Sequence, residues 1–156
     1  MTNESTTSLE TVLAETGLEW TFESAGFTTR LGQCRIAAET QGECAVFRTE
    51  LAQLKDPSPE SLAAIGDFVQ ALNSRLRVAR GSLKAKAVLL EIFKPAAGLT
   101  VEEIKKAVEV LNIGHTVARR ECAALLNQAV ARHYLDFHKT SAKEIREHDN
   151  VNSSSY

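Results

Sequence analysis

The segment Asp56-Pro57-Ser58-Pro59-Glu60 constrains this chain more than any other, because two prolines two residues apart fit neither a helix interior nor a central strand. It divides the chain into a part with strand periodicity and a part that opens with a helix. Ser58 is placed to cap that helix and Pro59 to occupy its first turn. Leu62, Ile65, Val69, Leu72 and Leu76 then follow at spacings of 3, 4, 3 and 4, which predicts an apolar stripe facing a sheet. Asn73 to Arg75 stand where the helix must end.

Before the prolines the period is two. Leu18, Trp20 and Phe22 alternate with polar residues, Ser24 to Gly26 supply a turn, and Phe27, Thr29 and Leu31 continue the alternation. Gly32 marks a bulge or second turn, Arg35 to Thr40 resumes strand character, and Gln41-Gly42 makes the next tight connection. Ala45, Phe47, Thr49 and Leu51 then share a side opposite Cys44, Val46 and Arg48. The pattern predicts an antiparallel meander of about three strands, preceded by a short helix that has Thr7 and Glu10 at capping-box spacing and ends at Gly17. After the central helix, Arg77 to Leu83 and Ala87 to Phe93 read as a hairpin with a polar tip at Lys84 to Lys86, closed by Pro95. The expected fold is α+β, an antiparallel sheet of about five strands packed against helices, in the order α-β-β-β-α-β-β-α.

Thr100 and Glu103 open a last helix, with Ile104, Val108 and Leu111 on one stripe, and helical character persists to His138. Those 39 residues, at about 1.5 Å each, would exceed ~55 Å, against a radius of gyration near ~15 Å for a compact chain of this length. The helix must bend or project, and Gly114 makes Asn112 to Gly114 the expected bend. Residues 1–7 are expected to be frayed, 8–138 to form a single α+β domain, and 139–156 to be a mobile polar tail.

Composition removes several function classes. The balance of 18 basic and 20 acidic side chains gives a net charge of −2 and no general phosphate-binding field. Arg75, Arg77, Arg80, Lys84 and Lys86 cluster at the hairpin, but alternation and the lack of interleaved aromatics make them the solvated side of a sheet; no nucleic-acid partner is expected. Apolar runs such as Ala87 to Leu90 fall far short of the roughly 18 residues that span a bilayer, and the start reads MTNESTTS, so no membrane association is expected. Cys34, Cys44 and Cys122, odd in number and scattered, suit reduced thiols in the cytoplasm.

Catalytic chemistry finds few residues to use. His133 and His138 are five apart and do not share a helix face as an i, i+4 metal pair would, and His115 is better suited to capping carbonyls at the expected bend. Cys34 and Cys44 could meet on one hairpin but more simply pack as small apolar residues, and no CxxC, GxGxxG, P-loop or GxSxG pattern occurs. No catalytic residue, metal ligand or cofactor is expected; the alternative of another class is a small metal-dependent enzyme using His133 and His138. The distal helix is more informative, since its apolar residues spread beyond one narrow stripe. Val117, Leu125, Leu126, Ala129, Val130, Tyr134 and Phe137 are the candidate interface with a second copy of the chain or with a protein partner.

The order of elements resembles the type III secretion chaperone-like superfamily, including its YbjN-type branch. The resemblance is sharpest over Ala71 to Leu111: Asn73 at the helix end, Leu76 to Leu83 as edge strand, Val88 to Pro95 as its partner, and Leu99-Thr100-Val101-Glu102-Glu103 opening the next helix. In layout it covers residues 8 to about 130. It implies a sheet with helices on one side, a homodimer and no active site, acting by holding another polypeptide through apolar patches and sheet edges; a regulatory or stress-associated role of the YbjN type is the alternative.

Overall fold

The computed structural model describes residues 9–23 and 26–138. The described strands are β1 (Thr21–Glu23), β2 (Gly26–Leu31), β3 (Cys34–Gln41), β4 (Cys44–Gln53), β5 (Arg80–Lys84) and β6 (Ala87–Pro95). They form one antiparallel sheet in the order β1-β2-β3-β4-β6-β5. The helices are α1 (residues 9–14), α2 (Pro59–Arg75), α3 (Val101–Ala124) and α4 (residues 128–138). The α+β layout is the expected one with six strands rather than about five. The extra strand is β1, only three residues long because Leu18 and Trp20 serve the turn after α1. There the Trp20 ring nitrogen donates to the Thr16 hydroxyl at 3.0 Å. Thr7, the turn at Ser24 and residues 1–7 and 139–156 lie outside the described residues.

Local signals explain most of these elements. Gly32 and Gly42, both at positive φ, make the β2–β3 and β3–β4 turns, a backbone region nearly free of cost only for glycine. Ser58 accepts the Ser61 N–H at 3.1 Å to start α2, and Thr100 accepts the Glu103 N–H at 3.2 Å to start α3. Cross-strand pairs place Ile36 beside Thr49, Ala38 beside Phe47 and Phe47 beside Ile92, giving one dry face. That face and the inner sides of the helices form a single cluster that includes Leu13, Ile36, Phe47, Ile65, Leu90, Ile104 and Leu111. The buried face of α2 is rotated from the expected stripe, with Ser61, Ala64, Ile65, Phe68 and Val69 inside, Leu62 exposed, and Leu72 and Leu76 only partly buried.

The long helix does break, but not at Asn112 to Gly114, through which α3 runs without interruption. Gly114 serves packing: a Cβ there would lie 2.8 Å from Leu90 Cδ1, so its missing side chain lets α3 settle against the sheet. The turn comes at Leu125 to Asn127, where successive N–H groups bond three residues back, Leu125 to Cys122, Leu126 to Ala123 and Asn127 to Ala124. Asn127 then caps a new helix, its Oδ1 accepting from Ala129 N at 3.0 Å and Val130 N at 3.2 Å. Asn competes well with helix continuation through such side-chain bonds, and it carries the break that glycine was expected to carry.

Candidate binding surface

Helix α4 is held by its own sequence. Ala131 is fully buried and Tyr134 and Leu135 pack against the core, while Gln128 and Arg132 reach Glu60 in the first turn of α2 at 3.2 and 3.3 Å. On the opposite side Val130, His133 and Phe137 recur at spacings of 3 and 4 and point outward, preceded by Leu126 in the turn. Phe137 is 63% exposed, an unusual degree for a phenylalanine on a helix whose other face is fixed.

The seven residues expected at an interface therefore separate. Leu126, Ala129, Val130 and Phe137 lie on the outer side, and Tyr134 is shared between core and surface. Leu125, at 2% exposure, belongs to the core with Cys122 and is withdrawn from the interface. Val117 is exposed, but on α3, one turn from the exposed Ile113 and on the other side of the Asn127 break. His133 stands exposed in the outer stripe of α4. His138 lies against Tyr134, with ring centres 4.1 Å apart and the planes tilted by 40°, and meets Phe137 edge-on at 5.6 Å. Among the described residues no group of three His, Cys, Asp or Glu side chains could hold a metal ion. Cys34 and Cys44 occupy opposite ends of the β3–β4 pair. Both are free thiols, as is Cys122. Cys34 lies 3.4 Å from the Thr49 hydroxyl, and burial pushes its thiol above the ordinary value despite that contact.

The sheet face away from the helices is charged and largely self-satisfied. Its centre is Glu91, 2% exposed in the otherwise apolar run of β6. Burial pushes its carboxyl up, yet the Ser82 hydroxyl at 2.7 Å and the ammonium of Lys84 and guanidinium of Arg48 together hold it below the ordinary value. Arg48 also meets Glu39 at 2.7 Å. A lone carboxylate within Val88-Leu89-Leu90-Glu91-Ile92-Phe93 was the available sequence signal for this cluster, and its partner became visible only from the Arg48–Glu91 register.

The edge of β5 is also occupied. Asn73, in the last turn of α2, presents its side-chain amide to Gly81 as a neighbouring strand would. Its Nδ2 donates to Gly81 O at 2.9 Å, and its Oδ1 accepts from Gly81 N at 2.6 Å. An added strand cannot use the middle of β5 while this pair persists. Asn73→Ala leaves both Gly81 groups unpaired in a partly buried position and is expected to cost about 2 to 4 kcal/mol. Urea denaturation checks the loss, and a cost below about 0.5 kcal/mol would show that water replaces the amide.

An apolar cavity of about 670 Å³ lies near the α1 helix, walled by Leu9, Val12, Cys44, Ala45, Pro95 and Leu99. No described helix is long and apolar enough to cross a membrane.

No family model matches the chain, and no curated protein matches it. Solved structures do. YbjN, a proposed transcription regulator from E. coli, superposes with a TM-score of 0.60 at 11% identity, covering 74% of this chain and 91% of its own. The HopA1–SchA chaperone–effector complex gives a TM-score of 0.53 at 16% identity over 75% of this chain and 97% of that one. The Yersinia pestis type III secretion chaperone SycH, solved with a fragment of YscM2, gives 0.50 at 16% identity over 72% and 98%.

Proposed function

We propose, taking as premise the type III secretion chaperone-like fold that this chain has, that it is a non-enzymatic protein-binding module. It holds a polypeptide partner, as a chaperone or adaptor does, on the outer side of α4. The observation that carries this reading is the exposure of Val130 and Phe137 on a helix whose other side is anchored by Ala131, Tyr134 and Leu135. An apolar helix face gains by covering a partner's apolar side chains, and an aromatic such as Phe137 is the kind of anchor that dominates such contacts. A second copy of the chain presents the same face, so a homodimer built on it satisfies both protomers. Asn73 covers the middle of the β5 edge, so this reading places the contact on the helix face rather than on that strand. The free thiols suit a cytoplasmic setting. A regulatory role, in which the held partner belongs to a signalling pathway, shares this physics and draws support from the likeness to YbjN.

Sedimentation velocity and an array of amphipathic peptides test the reading. The wild type is expected to dimerise or retain peptides at micromolar concentration, and Phe137→Asp with Val130→Asp to weaken that binding by a factor of about ten or more without changing the circular dichroism. A wild type that stays monomeric and retains no peptide overturns it.

A further inference from the structure

A second cavity, of about 470 Å³, opens between the middle of α3 and the β2–β3 turn. Its polar lining consists of Gln33, Asn112, His115, Thr116, Arg119 and Arg120, with no acidic side chain among the described residues. Its volume falls within the range of small-molecule sites. Arg119 donates to the side-chain oxygen of Gln33, which fixes one guanidinium across the gap between helix and turn. Neither Arg119 nor Arg120 forms an ion pair among the described residues. Two arginines on a helix are ordinarily a solvated face, so they decide nothing alone.

The imidazole of His115 decides it. The residue is 7% exposed and lines the cavity, set deep in the fold rather than on the surface of α3. Its ring nitrogens are not among the sealed, unpartnered polar atoms of the described residues, so they reach solvent where the ring lines the cavity and are free to meet a bound group. Burial, and then the charge of Arg119, hold its pKa below the ordinary value, so near neutral pH it is an uncharged ring with one N–H to donate. A wall of two cationic forks and a neutral donor, with no carboxylate competing, complements an oxyanion.

We propose that this cavity binds the carboxylate or phosphate group of a small molecule, with Arg119 and Arg120 as its charged donors and His115 completing the contact. The site lies apart from the α4 surface and stands independently of the protein-binding reading.

The test follows the imidazole resonances of the full-length protein by NMR at fixed pH, titrating inorganic phosphate in one arm and succinate in the other, with chloride balancing ionic strength. The His115 signals are expected to shift saturably while those of His133 and His138 stay in place. Saturation by phosphate alone assigns a phosphate-bearing ligand, and by succinate alone a carboxylate. The double variant Arg119→Gln with Arg120→Gln, both exposed and so compatible with folding, should weaken binding by about tenfold or more. His115 signals that respond to neither anion, or that respond equally in the double variant, overturn the proposal.

Discussion

Leu125→Asp is expected to unfold the protein, whereas Leu126→Asp, one residue later, is expected to leave it folded and remove its ability to associate. The side chain of Leu125 sits in the core at 2% exposure, where Cys122 and Ala131 are also buried. A carboxylate there loses the apolar contacts of leucine and, with no partner, adds several kcal/mol of desolvation. Set against a total stability of about 5 to 15 kcal/mol, that is enough to depopulate the native state. Leu126 is 40% exposed in the turn before α4, where a polar residue changes stability by only about 0.5 kcal/mol. On the proposed function its loss acts on the surface that holds the partner. Urea denaturation of both variants, with sedimentation of the one that folds, checks the pair. A folded Leu125→Asp would show that the turn can open, and an unfolded Leu126→Asp would make the outer side of α4 part of the core.

The second large effect is expected at Gly114. An added Cβ would sit 2.8 Å from Leu90 Cδ1, and Leu90 is itself buried on the dry face of β6. Gly114→Val brings two further carbons into that contact, so either Leu90 leaves its packing or α3 lifts from the sheet; overpacking of this kind costs about 1 to 3 kcal/mol. Helix propensity opposes the loss, since replacing a helix-interior glycine by alanine gains up to about 1 kcal/mol, which makes Gly114→Ala a weak test and valine the better one. Leu90→Ala alone is expected to cost about 2 to 5 kcal/mol through its cavity. In the double variant the valine fills part of that cavity, so the combined loss should fall short of the sum by more than about 0.5 kcal/mol. Additive losses would mean that the glycine is not there for Leu90.

How far the residues themselves reveal the fold can be argued from individual positions. Ser58, Pro59 and Thr100 mark helix starts through bonds that span three residues, and the structure places both starts there. Gly32 and Gly42 mark turns for the same short-range reason. Asn127 carries a comparable local signal, a capping side chain ahead of Ala129 and Val130, but it lies within an unbroken helical period in which Gly114 is the stronger local breaker. The exposure of Leu62 in place of Ser61 shows a different limit. The apolar spacing of α2 fits two adjacent stripes, and the contact with β5, including the Asn73–Gly81 pair, selects one of them.

The candidate surface follows the same division. The excess of apolar residues beyond Val117 was legible, and so was its consequence that some of them stay exposed. Which of Leu125 and Leu126 does so was not, because the answer depends on a tightened turn and on the ties from Gln128 and Arg132 to Glu60, 68 and 72 residues away in sequence. Glu91 and His115 were harder still. A carboxylate in a strand and an imidazole in a helix are ordinary residues until register sets Arg48 beside one and packing encloses the other.

By itself the sequence determined the α+β class, the antiparallel hairpins β2–β3, β3–β4 and β5–β6 and the starts of α2 and α3, because turns, caps and apolar periods act over a few residues. Only the tertiary structure decided the break at Asn127, the role of Gly114, the closed β5 edge and the outward side of α4. Each of those rests on groups brought together from distant parts of the chain, where close packing leaves room for one arrangement and excludes its neighbours.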